Sequence, residues 1–145
     1  MFFEIVSFIF TGLFAGVALY ISFVEQPARL ASSLEVALAE WRFSYRRAAV
    51  LQIVLATVGV LSAIAAFYVG RGVSVFVAGM LLAIVMVWTL VAVMPVNRKL
   101  LDPARVSTTP DTDVLIKKWG RLHLIRTIAA LLSLAELGAN LMGFV

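Results

Sequence analysis

Four predominantly apolar runs, 5–24, 48–69, 73–94 and 127–145, dominate this 145-residue chain, each close to the ~20 residues that a helix needs to cross a hydrocarbon core. Backbone polar groups in lipid must be satisfied within the segment, so runs of this length predict helices. With 63% hydrophobic residues, 14% charged residues and a mean hydropathy of +1.05, the chain has too few polar groups to cover a water-soluble globule. The expected fold is all-α: an integral membrane antiparallel four-helix bundle, one domain over 1–145 with spans near 5–24, 48–69, 73–94 and 122–145. Nothing outside the runs is long enough for an independent core. The first run is expected to be retained, because Met1-Phe-Phe-Glu4 lacks a basic n-region and no small-residue cleavage site follows Phe23.

The formal charge is +4, but the placement of the charges matters more than their sum. Of twelve Lys and Arg, four fall between Glu25 and Arg47, seven between Arg98 and Arg126, and Arg71 alone lies on the opposite side. Under the positive-inside rule both longer loops face the cytoplasm and both termini face out, in an expected bacterial inner membrane. Membrane lipids are the expected surroundings, and the basic residues read as a topology signal rather than a nucleic-acid surface. There are no cysteines, which removes disulfides, haem-thioether links and thiolate metal sites.

Small residues recur at four-residue spacing as Gly12 and Gly16, Gly59 and Ala63, and Ala135, Ala139 and Gly143. In lipid such positions let helix backbones approach closely. Packing within one chain is the expected use, with Tyr20 filling the groove beside Gly16; a homo-oligomer is the other outcome they permit. The Gly70-Arg71-Gly72 turn predicts a tight hairpin between the second and third spans.

The first helix is expected to end at Glu25-Gln26-Pro27 and the third at Met94-Pro95, since proline lacks a donor and disfavours helix at the preceding residue. Ser32-x-x-Glu35 reads as a capping box, followed by Leu34, Leu38, Trp41 and Tyr45 on one stripe. This predicts a separate amphipathic helix along the interface between helices one and two, with Trp41 at headgroup depth. Thr109 and Pro110 mark the start of the last helix, about 50 Å long at 1.5 Å per residue. The halves also show a faint repeat: Pro27-Ala-Arg29 then Trp41-x3-Tyr45, and Pro95-Val-Asn97-Arg98 then Trp119-x3-His123. If it is real, Tyr45 and His123 face each other across the bundle.

Polar groups concentrate at one membrane boundary: Glu25, Gln26, Tyr45, Arg46, Asn97, Arg98, Trp119, His123 and Arg126. Trp119, His123 and Arg126 sit at i, i+4 and i+7, so one helical stripe combines an indole, the only histidine and a guanidinium. Histidine is the side chain whose ordinary pKa suits proton transfer near neutrality, and arginine offers an oxyanion partner. A structural reading has Glu25 paired with Arg126 or Arg46, locking the bundle. One histidine, no cysteine and scattered carboxylates fall short of the usual metal-ligand sets, so no metal is expected. Glu136, in the outer half of the last span, is expected at the opposite interface with Glu4.

Taken together, Glu25-Gln-Pro27, Trp41-x-x-Ser-Tyr45-x-Arg47, Met94-Pro-x-Asn97 and Trp119-x-x-x-His123-x-x-Arg126 resemble a family of small four-helix membrane proteins, named first as a domain of unknown function. Its characterised members are anthrone oxygenases of polyketide pathways. The resemblance implies oxidation of a tricyclic anthrone to an anthraquinone by O2 without metal, flavin or nicotinamide. By position, His123 is then the expected base, Arg126 and Asn97 the oxyanion donors, and Trp119 and Tyr45 the ring-stacking residues, with Glu25, Gln26 and Trp41 completing the substrate site. Gln26 is a departure, since many bacterial relatives carry histidine there.

The leading expectation is a cofactor-independent membrane oxygenase acting on an anthrone-like or other polycyclic phenolic or quinol-like molecule. The alternative is a non-catalytic membrane protein that binds a lipid or quinone, or supports a partner subunit. An enclosed aromatic-lined pocket holding His123 favours the first; a Glu25–Arg126 lock without a cavity favours the second.

Overall fold

The computed structural model describes residues 1–104 and 109–144. Arg105, counted above in the topology argument, and Val145, the end of the fourth run, lie outside the described residues. Among the described residues all regular structure is helical: α1 (Phe2–Tyr20), α2 (Gln26–Ala31), α3 (Leu34–Tyr68), α4 (Val73–Trp88), α5 (Met94–Leu101) and α6 (Pro110–Leu141), with π-helical turns at Ile21–Glu25 and Thr89–Val93. Four rods result, Phe2–Ala31, Leu34–Tyr68, Val73–Leu101 and Pro110–Leu141, each long and apolar enough to cross a membrane. The protein is an integral membrane protein. The rods pack in a ring, α1 beside α3, α3 beside α4, α4 beside α6 and α6 beside α1.

The prolines do not stop their helices. Pro27 and Pro95 each follow a π-helical turn, and the chain continues helically to Ala31 and Leu101. A proline ring clashes with the carbonyl four residues back and cannot donate to it. Widening the preceding turn to π geometry accommodates both problems, so the helix bends its hydrogen bonding instead of ending. The repeat is visible here, because both π turns end two residues before their proline and each is followed by a short helix and then a long one.

Nor is there a separate interfacial helix. The stretch from Leu34 is the first part of the 35-residue α3, and Trp41 is 0% exposed rather than at a headgroup surface. Trp41 packs inward with Leu38, Val96, Leu100, Ile116 and Trp119, which close one end of the bundle. The N-cap is Ser33, whose side chain accepts from the Val36 N–H at 3.3 Å; Ser32 instead donates its hydroxyl to the Arg29 carbonyl at 2.8 Å, ending α2. The N-cap is therefore displaced by one residue, which puts Val36 rather than Glu35 at the third helical position and removes the capping box. Gly70 and Gly72 adopt positive φ of 80° and 92°, making the short α3–α4 hairpin. Thr109 and Pro110 start α6 as expected, although the Thr109 hydroxyl meets that of Thr112 at 2.9 Å rather than capping the backbone.

Close helix approach occurs at one of the three four-residue motifs, Gly59 and Ala63, and at Gly79 facing it. A Cβ on Gly79 would lie 2.5 Å from the Cβ of Ala63, and one on Gly59 would lie 2.9 Å from Leu82 and 3.1 Å from the Thr11 hydroxyl. Gly16 meets nothing within 4 Å, Tyr20 is exposed, and Ala135 and Gly143 face outward. Residue spacing identifies a smooth stripe, but only packing decides which stripe meets a neighbour. At the end away from Trp41, Glu4 is fully buried and accepts from Arg71 at 2.7 Å, while the half-buried Glu136 accepts from Ser74 at 2.6 Å.

Candidate active site

Where the two π turns face the first halves of α3 and α6, the bundle forms a partly open cavity of about 240 Å³, just below the usual range of small-molecule sites. Its walls are mainly apolar, with Phe14, Ala56, Val85 and Met86 at one end and Trp41, Tyr45 and Trp119 at the other. Seven of the eight residues singled out from the sequence line it: Glu25, Trp41, Tyr45, Asn97, Trp119, His123 and Arg126. Gln26 does not. Its amide donates to the Ile116 carbonyl at 3.0 Å and lies against Gly120, tying α2 to α6.

Two aromatic pairs build the wall. Trp41 stacks on Tyr45 one turn later, with centroids 4.8 Å apart and planes 7° apart. Trp119 stacks on His123 at 4.9 Å and 30°, and the two indoles meet edge to face at 5.7 Å. Asn97 joins the pairs: its Oδ1 accepts from Trp119 Nε1 at 2.8 Å and its Nδ2 donates to the Tyr45 hydroxyl at 3.2 Å. Both ends of its amide are engaged, which ties Asn97 to the rings, and its Nδ2 keeps a second N–H beyond the bond to Tyr45.

His123 is 1% exposed. Its Nδ1 lies 3.1 Å from Ser22 Oγ, which lies 2.7 Å from Thr127 Oγ1, and Thr127 Oγ1 reaches the carbonyls of Ala18 at 3.1 Å and His123 at 3.2 Å. Thr127 has one hydroxyl proton. Donating it to a carbonyl leaves Thr127 to accept from Ser22 and Ser22 to accept from Nδ1–H, which puts the imidazole lone pair on Nε2. Nε2 is buried and makes no hydrogen bond among the described residues.

Arg126 is 8% exposed and donates to Gln52 Oε1 at 2.8 Å, with its guanidinium 5.7 Å from the Phe14 ring. Glu25 is not its partner. Glu25 instead pairs with Arg29 at 2.9 Å, and Arg29 also engages Glu40 and donates to Ser44 at 2.7 Å. Arg46 is exposed. Among the described residues Arg126 thus has no carboxylate partner, and a buried uncompensated cation is costly unless something neutralises it. Its Nε, together with Gln52 Nε2, Arg29 Nη1 and Trp41 Nε1, has no hydrogen-bond acceptor among the described residues. All four of these side chains line the cavity. An apolar chamber whose lining side chains carry spare N–H donors and an unpaired positive charge suits a flat, greasy molecule that bears oxygen and becomes anionic. No three His, Asp or Glu side chains converge as a metal-ligand set among the described residues.

Gln52, Ser22 and Arg29 were missed as site residues. Gln52 carried a signal, as a lone amide inside an apolar run, and polar groups at membrane depth usually have a function. Ser22 carried none, since its role depends on how the π turn sits against α6.

Fold and site together define a class: small helical membrane proteins with a buried histidine and arginine beside an apolar chamber. The sequence pattern of the anthrone oxygenase family matches residues 41–135, well over half of the chain, and the protein belongs to that family. The match takes in Trp41, Tyr45, Gln52, Asn97, Trp119, His123 and Arg126, whereas Ser22, Glu25 and Arg29 lie before it. No curated protein and no solved structure is matched.

Proposed function

We propose that the protein oxidises an anthrone-like polycyclic phenol with O2, without metal, flavin or nicotinamide, and that the four spans act as one domain. The observation that carries this reading is the unpartnered Nε2 of His123 in the same apolar chamber as the uncompensated guanidinium of Arg126. The central methylene of an anthrone is acidic because its anion is an aromatic enolate. His123 Nε2 takes one methylene proton while Arg126 and the Gln52 amide hold the enolate oxygen. The electron-rich enolate carbon then bonds to O2 and forms a peroxide, which His123 protonates. Loss of the second methylene proton with cleavage of the O–O bond gives the new carbonyl and water, so one anthrone and one O2 yield one anthraquinone and one H2O. Trp41, Tyr45 and Trp119 bracket the rings, and Asn97 fixes their orientation.

In this reading both longer loops face the cytoplasm and both termini face out of a bacterial inner membrane, in line with the placement of the basic residues. The reading is tested by oxygen uptake on adding an anthrone to purified protein in detergent, against a protein-free control, since anthrones oxidise spontaneously. Uptake above the control, matched one for one by anthraquinone, is the expected result. Anthraquinone binding without uptake above the control selects the alternative, a binding protein for quinone-like molecules.

A further inference from the structure

The repeat makes two seams of the bundle equivalent: that between α1 and α6, and that between α4 and α3. At the first, the π turn 21–25 packs on α6, and Ser22 closes it by hydrogen bonds to His123 and Thr127. At the second, the π turn 89–93 packs on α6 and its own flanking helices but makes at most marginal contact with α3. Leu90 occupies the position that matches Ser22, the second residue of its π turn, and it has no polar group with which to close the seam. Leu90 is 65% exposed and Ile53, on the facing side of α3, is 60% exposed, yet both line the same cavity as the buried His123. Farther along the seam, the Gly79–Ala63 contact holds α4 against α3, so the gap is confined to the level of the π turn.

We infer that this gap is a lipid-facing portal, through which the ligand enters the chamber sideways from the bilayer. Ile53 lies within the apolar run 48–69 and Leu90 within 73–94, so the mouth opens at hydrocarbon depth rather than to water. Its rim is apolar, with the small Ala49 beside Ile53 leaving room for a flat ring system. A molecule dissolved in the membrane meets no polar barrier on this path. The portal sets the ligand class as one that partitions into lipid, and it deepens the proposal above by building on the cavity as the ligand site.

The test uses protein reconstituted in vesicles and a Trp88→Phe background, which leaves Trp41 and Trp119 as the only indoles. Membrane-dissolved 9,10-anthraquinone is the probe, read by the rate at which it quenches their fluorescence. Ile53→Phe with Leu90→Phe enlarges two lipid-facing side chains, and Leu132→Phe adds the same bulk at an exposed position that does not line the cavity. The expected result is quenching slowed about tenfold or more in the double variant, a barrier increase of ~1.4 kcal/mol, with the final amplitude retained and Leu132→Phe unchanged. Quenching of the double variant at the background rate overturns the portal, as does an absence of quenching in the unplugged protein. Loss of the oxygenase reading shows separately, as no oxygen uptake above the protein-free control while the quenching rates still differ.

Discussion

Trp41 and Trp119, which occupy matching places in the two halves of the chain, meet edge to face at 5.7 Å, each with its own stacked ring one turn later. One half contributes Tyr45 in that position and the other His123, so a near-symmetric scaffold carries an asymmetric site. The scaffold supplies flat walls from both sides, and the single imidazole breaks the equivalence where a proton must be moved.

Asn97 links these two pairs, and removing its amide leaves the buried Trp119 N–H without its acceptor and the Tyr45 hydroxyl without its donor. Asn97→Leu is expected to cost about 1–3 kcal/mol of stability. Because Asn97 acts through the rings, the variant should raise KM for an anthrone more than it lowers kcat. A thermal unfolding curve in detergent and a saturation curve check the two parts.

Arg126 separates function from stability. Arg126→Met removes a buried charge that has no carboxylate partner among the described residues but leaves the buried Gln52 Oε1 without its donor, so the two effects oppose each other and thermal stability is expected to change little. Turnover is expected to fall by roughly 10²–10³, the usual effect of losing an oxyanion donor. A matching fall in stability would show that Arg126 serves the fold instead.

Gly79 is required by distance rather than by backbone conformation. Gly79→Ala places a Cβ 2.5 Å from that of Ala63 and is expected to destabilise by about 1–3 kcal/mol through overpacking. Adding Ala63→Gly removes the opposing atom and should restore part of the loss. Midpoints of thermal unfolding for the single and double variants check this.

Much of this architecture was legible in the sequence for a simple reason: lipid forces backbone hydrogen bonds into helices, so apolar run length reports span count directly. The stripe of Trp119, His123 and Arg126 was equally readable, because helix periodicity alone puts residues four and seven apart on one face. Pro27 and Pro95 misled, since sequence rules treat proline as a stop and a π turn offers the chain another way past it. Charge and boundary position alone offer Glu25 either Arg126 or Arg46 as its partner. Arg29, four residues along the same rod, holds it at 2.9 Å and leaves Arg126 to the amide of Gln52. That local choice leaves Arg126 beside the cavity without a carboxylate among the described residues, and only the packed helices reveal it.

The role of His123 as the base is measured directly by anthraquinone formation from an anthrone in air by wild type and His123→Ala, each compared with a protein-free control. Wild type is expected to exceed the control, and His123→Ala to lose roughly 10²–10⁴ in rate, falling to the control while still binding anthraquinone. Wild-type turnover retained by His123→Ala would contradict that role.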